Sequence, residues 1–259
     1  MKSVYNETLR SQKELVLCQD GTHTLYSKEF DEPYHSTKDG ALHESLEKYV
    51  KPSLDYTAHK PKVVILDICF GLGYNTFATL YYIKSQNLKT KVHILSPEFD
   101  EGLIASLKDF DYPPEFESLQ EIINTLSQNF FYEDEQFKIE ILLGDARKVI
   151  PKIKEKIDIV YQDAFSPAHN PLLWTREYFA DIRGICAEDA ILTSYSTAIA
   201  TRMGLYENGF YIFVHRAKMM RYSTVASLKM LDKKLEYIDM ELKKSRNLEA
   251  KSMRDSAYL

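Results

Sequence analysis

Four acidic residues in this chain stand where predicted strands hand over to loops. They are Asp67 in "VVILDICF", Glu98 in "HILSPEF", Asp145 in "EILLGDA" and Asp163 in "IVYQDAF". Open α/β sheets bind ligands outside the carboxyl ends of their strands, so acids placed there rim a crevice. Such a rim repels phosphate and favours a cationic ligand with hydroxyl groups to hold. Glu98 is placed to accept from two ribose hydroxyls. Asp145 is placed to accept from an adenine amino group, with Ala146 offering a backbone N–H. The first strand runs into Gly71-Leu72-Gly73-Tyr74-Asn75-Thr76. A dinucleotide fingerprint asks for glycine or alanine where Thr76 stands, and a phosphate-binding loop asks for a Lys-Ser/Thr pair that is absent. The pattern therefore points to adenosine carried on a sulfonium, S-adenosylmethionine, with no metal required. Asp67 sits inside the strand–loop junction and has an alternative role in the loop's own geometry.

The stretch "YQDAFSPAHNPLLWT" suggests what is done with that ligand. Methyl transfer to an amine needs a free lone pair on nitrogen. Asp163 is placed to take the amine's proton or to hold the neutral amine in line. Phe165 and the flanking prolines form an apolar wall that excludes water. The single tryptophan, Trp174, reads as core packing, and His169 as an exposed side chain.

Alternating strand and helix patterns position these groups. "KVVILDICF" is a nearly continuous apolar run, as in a strand buried on both faces. "KVHILSPEF", "FKIEILLGD", "IDIVYQDAF" and "AILTSYS" supply four more strands, with helices between them. After a helix closed by Asn208-Gly209, "YIFVHR" and "TVASLK" are joined by too short a connection for a crossover, so they must run antiparallel. The expected fold is α/β: a Rossmann-like, mostly parallel seven-stranded sheet ending in an antiparallel hairpin, the habit of class I S-adenosylmethionine-dependent methyltransferases. Residues 1–60 form an N-terminal extension of hairpin and helix, 61–230 the methyltransferase domain, and 231–259 a C-terminal helix and tail. Leu228, Leu231, Leu235, Ile238 and Leu242 fall on one stripe at helical spacing. The last fifteen or so residues read as a mobile polar tail.

The chain has 259 residues and a net charge of −5. That excludes a generic nucleic-acid coat, yet residues 216–259 carry 11 Lys and Arg against 6 Asp and Glu. A local basic face is compatible with this distribution. No apolar run is long enough to span a bilayer. Three scattered cysteines match neither a disulfide framework nor a metal site and indicate a reduced, cytoplasmic compartment. No obligate protein partner is evident, and the chain is expected to be a monomer or weak dimer.

Several blocks together resemble a known family. "FGLGYN", "SPEF", "GDA", "DAFSPAHNPLLWT" and "TSYSTAIATRMGLYENGF", with the leader "DGTHTLYSKEFDEPYHSTKDGALHES", resemble the methyltransferase half of the bifunctional MnmC tRNA-modification enzyme and its stand-alone relatives. The resemblance covers about residues 18–229. It implies transfer of a methyl group to the aminomethyl group of 5-aminomethyluridine, often 2-thiolated, at the tRNA wobble position. By motif, Tyr34, Gly71, Gly73, Asn75, Glu98, Asp145, Ala146 and Asp163 bind the cofactor, and Asp163 also acts on the amine. Lys218 and Arg221 in "HRAKMMRYSTVAS" are the candidate tRNA contacts, although this turn departs from the family's Gly- and basic-rich pattern. No second glycine fingerprint follows, so a form without the flavin-dependent domain is expected. Two other readings use the same fold: a transferase for small polyamine-like amines, and a non-catalytic S-adenosylmethionine-binding protein.

Overall fold

The computed structural model describes residues 12–218, 220–231, 235–247 and 249–258. Its centre is a nine-stranded sheet. Five parallel strands form the middle: β4 (Lys62–Ile68), β5 (Lys91–Glu98), β7 (Phe137–Leu143), β8 (Ile157–Gln162) and β9 (Cys186–Ser194). The hairpin β10 (Tyr211–His215) and β11 (Ser223–Ser227) enters antiparallel beside β9. Short strands β6 (Phe131–Glu133) and β12 (Glu236–Ile238) close the two edges, giving the order β12-β10-β11-β9-β8-β4-β5-β7-β6. The seven expected strands are therefore present, with one short strand added at each edge.

In β4 every residue after Lys62 is buried, because helices cover both faces of the sheet. One face packs against α1 (41–56), α2 (Tyr74–Ser85), α3 (Glu101–Ser106) and α4 (Gln120–Asn129). The other packs against α5 (Ala146–Val149), α6 (Arg176–Ile185), α7 (Ile199–Tyr206) and the start of α8 (Met240–Arg246). The N-terminal strands β1 (Lys13–Leu17), β2 (His23–Ser27) and β3 (Glu32–Pro33) make a separate antiparallel sheet. Leu25, Leu42, Tyr49 and Val50 nevertheless share a core with the main sheet. The ammonium of Lys13 also pairs with Asp100, tying β1 to the loop after β5.

Helix α1 contains a π-helical run at Ser45–Val50. Such wide turns insert one residue into the α register and recur at functional sites. Tyr49 lies in this run and is fully buried.

Two expectations fail at the C-terminus. The leucine stripe is not one helix: Leu228 follows β11 in a bend, and Glu236–Ile238 pairs with β10. Edge pairing wins because Tyr237 packs against the rings of Phe213 and Tyr211, while Ile238 is buried. The helix begins only at Met240, capped by the Asp239 side chain, and Leu242 is exposed. The polar tail is docked rather than loose. Asp255 forms a two-pronged ion pair with Arg147, Arg254 pairs with Glu177, and Met253 bridges Thr175.

Candidate active site

A cavity of about 600 Å³ opens at the carboxyl ends of β4, β5, β8 and β9. The glycine loop forms its floor. Gly71 has φ +54°, and a Cβ there would lie 3.2 Å from the Tyr34 ring. Gly73 has φ +71° and caps α2; a Cβ there would press into the rings of Phe77 and Phe70. Gly71 lines the cavity, whereas Gly73 lets the helix close onto the loop.

Glu98 ends β5 and is buried. Its carboxylate accepts from the backbone N–H of Gly71 at 2.9 Å and from those of Phe99 and Asp100 at 2.8 Å each. Burial pushes its pKa up despite these donors. Asp163 follows β8. One carboxylate oxygen accepts from the Tyr49 hydroxyl, and the other from the Asn75 amide at 2.8 Å. Burial, reinforced by the nearby Glu44 charge, raises the Asp163 carboxyl well above its usual range. The Tyr49 and Asn75 hydrogen bonds oppose that shift.

Phe165 stacks on Phe30, with centroids 4.5 Å apart, and meets Tyr34 edge-on at 4.9 Å. Trp174 is wholly buried, and its indole N–H donates to the Phe165 carbonyl at 2.7 Å. It thus braces the wall from behind. The segment 32–39 crosses the cavity as a strap. Glu32 accepts from the Ser166 N–H at 2.8 Å, Glu44 accepts from the Ser36 N–H at 2.8 Å, and Asp39 pairs with Lys48 at 2.9 Å.

The other sequence candidates differ in their relation to the cavity. Asp67 does not face the cavity: it is buried beneath the loop and accepts from the Thr76 hydroxyl at 2.8 Å. Burial raises its pKa to about 7. Asp145 caps α5 by accepting from the Arg147 N–H, and neither it nor buried Ala146 lines the cavity. Arg221 sits on the cavity wall, while Lys218 is exposed outside it. His169 is exposed.

Sequence reasoning missed Tyr49, Glu44, Lys48, Asp39 and Tyr195, all of which surround Asp163 or its approach. The Tyr195 N–H reaches the Tyr49 oxygen at 3.3 Å, and the Tyr195 hydroxyl donates to the Ala164 carbonyl at 3.0 Å. The available signal was the pair Glu44–Lys48 at i,i+4. Such pairs are usually solvated, but here both partners are buried.

The wall suits a cationic adenosine ligand. Its carboxylates are Glu32, Asp39, Glu44, Glu98 and Asp163, against the cations Lys38, Lys48 and Arg221. Asn75 Oδ1 and both ring nitrogens of His35 are buried at this wall without a hydrogen-bond partner among the described residues. Burial lowers the His35 pKa to about 4, so its ring is neutral and offers one donor and one acceptor.

The strand order and the acidic crevice define a class I S-adenosylmethionine-dependent methyltransferase. Residues 116–244 match a family model described as S-adenosyl-L-methionine-dependent methyltransferase. The crystal structure of MnmC2 from Aquifex aeolicus superposes with a TM-score of 0.82 at 35% identity, covering 95% of this chain and 79% of that one. An uncharacterized protein of Methanocaldococcus jannaschii is 35% identical over 212 residues, 79% of this chain and 56% of its own length. The bifunctional MnmC protein of Cupriavidus metallidurans, named for tRNA 5-methylaminomethyl-2-thiouridine biosynthesis, is 30% identical over 212 residues. These cover 76% of this chain and 31% of that protein. The chain belongs to the MnmC methyltransferase family. It spans about half the length of the archaeal relative and about a third of the bifunctional one.

Proposed function

We propose that this methyltransferase methylates the aminomethyl nitrogen of 5-aminomethyluridine, with or without 2-thiolation, at the wobble position of tRNA. The observation that carries the reading is the Asp163 carboxylate, clamped by Tyr49 and Asn75 in an acidic cavity behind Phe165. The names of the MnmC relatives supply the acceptor.

S-adenosylmethionine supplies the methyl group as an electrophilic carbon on a sulfonium. Glu98 would hold its ribose hydroxyls, with Gly71, Tyr34 and the unpaired Asn75 oxygen completing the cradle. Asp145 and Ala146 are assigned to the adenine end; they stand at the close of β7, the strand next to β5. The substrate amine enters largely protonated. Asp163 accepts its proton, which the elevated carboxyl pKa favours, and leaves a nitrogen lone pair free to attack. Tyr49 and Asn75 fix the carboxylate so that the nitrogen is held in one direction. Phe165, braced by Trp174, keeps water from the line of attack. Asp163 then passes the proton it took to solvent, and the methylated nitrogen leaves as a secondary ammonium.

The test is mass spectrometry of nucleosides from tRNA that carries the aminomethyl group, after incubation with the protein and isotope-labelled methyl donor. Label in 5-methylaminomethyluridine is expected. Label found only in added polyamines would refute the tRNA acceptor.

A further inference from the structure

Beside the mouth of the acidic cavity lies a second cleft of opposite character, with a volume of about 670 Å³. It is lined by Arg202 of α7 and by Arg216, Arg221 and Tyr222 of the β10–β11 connection. Thr197, Arg221 and Tyr222 belong to both walls, so the two spaces adjoin.

The arginines are not equivalent. Arg216 is neutralised by Glu236 at 2.5 Å and lies over the Tyr222 ring at 3.9 Å. Arg202 is partly buried, and its guanidinium Nε donates to the Thr224 hydroxyl at 3.0 Å. Among the described residues, no carboxylate pairs with Arg202 or with Arg221. Taking a guanidinium partly out of water without a counter-charge is costly, and the cost is relieved when an anion docks. Planar guanidinium groups suit phosphate oxygens in particular.

We infer that this cleft is a phosphodiester-binding subsite, in which Arg202 and Arg221 take the RNA backbone next to the nucleotide whose base enters the cavity. The inference rests on the proposed RNA acceptor and deepens it. A nucleotide bearing an amine on its base is cationic at one end and anionic one ribose away. The protein presents the matching pair, carboxylates inside and, at the threshold, guanidinium groups that pair with no carboxylate among the described residues. Tyr222 is 53% exposed and already carries Arg216 on its ring. It offers a platform on which a neighbouring unpaired base can stack.

The experiment measures binding of an anticodon stem-loop RNA by fluorescence anisotropy across a salt series. It compares the wild-type protein with Arg202→Gln, Arg221→Gln and the double variant. The double variant is expected to bind on the order of 10-fold or more weakly, the scale of a lost charged hydrogen bond. Its salt slope should fall by about one to two, since fewer phosphates are neutralised. Thermal unfolding checks the fold. Arg221→Gln alters an exposed side chain, so its own weaker binding and shallower slope test the site if Arg202→Gln does not fold. Unchanged affinity and slope in Arg221→Gln and in the double variant, or a wild-type protein that binds no RNA, would overturn the inference. RNA binding that depends on these arginines without any methyl transfer would support the cleft and count against the proposed acceptor.

Discussion

The Tyr49 hydroxyl donates to the Asp163 carboxylate across 114 positions of sequence, and Asn75 holds the other oxygen of the same group. A carboxylate held from both sides can neither rotate nor drift, which is what an in-line proton acceptor requires.

Asp163→Ala should reduce the rate of methyl transfer by on the order of 10²-fold or more, the range for a positioned general base. Single-turnover kinetics with labelled methyl donor give that rate, and calorimetry gives cofactor affinity separately. A normal rate in this variant would remove Asp163 from the reaction.

The acid limb of the pH–rate profile should report Asp163. Its pKa is raised, and only its ionised form accepts a proton, so activity should climb as pH rises through that value. Tyr49 donates to the ionised form and lowers the pKa; Tyr49→Phe should therefore move the limb to higher pH. Glu44 raises the pKa by repulsion, so Glu44→Gln should move it to lower pH. Equal or like-signed shifts from the two variants would contradict this electrostatic account.

Glu98→Ala should weaken cofactor binding roughly 10- to 100-fold, since hydrogen bonds to a charged group are worth roughly 1.5–3 kcal/mol. Glu98→Gln keeps one oxygen, which can still accept from the Phe99 and Asp100 N–H groups that share Oε1, and replaces the acceptor of the Gly71 N–H, so it is a milder change than alanine. Calorimetric affinity unaltered in both variants would exclude Glu98 from the ribose.

Asp67 makes the stability of the ligand-free protein depend on pH. Its pKa rises on folding from 3.8 to about 7. Its contribution is therefore fully present below about pH 4 and is lost as pH rises towards 7. A shift of this size corresponds to about 4 kcal/mol. Urea denaturation at a series of pH values should show a fall in stability over that window, and Asp67→Asn should flatten it. An unchanged slope in the variant would place the effect elsewhere.

The central strands were legible because helices cover both faces of the sheet, which forces continuous apolar runs such as "KVVIL". The hairpin was legible because its connection is too short for a crossover. Glu98 and Asp163 were found by their position at strand ends. Asp67 satisfied the same criterion, but it lies under the glycine loop. Residue type alone does not separate an acid that faces a cavity from one that supports its frame. Tyr49 and Glu44 were hidden because their partners lie far along the chain or on a helix that resembles an ordinary amphipathic one. The leucine stripe misled because its helical spacing competes with edge pairing, and aromatic packing between β10 and β12 decides the contest.

The wide turn in α1 makes Tyr49 unusually sensitive to chain length. Removing one residue from 45–50 would restore ordinary helical winding while the flanking turns kept their register, so the side chains inside the run, Tyr49 among them, would be the ones repositioned. The phenol would then swing off the carboxylate, although no catalytic atom had been deleted. Among natural sequences of this type, the spacing between the strap and residue 49 should tolerate substitution far better than a change in count.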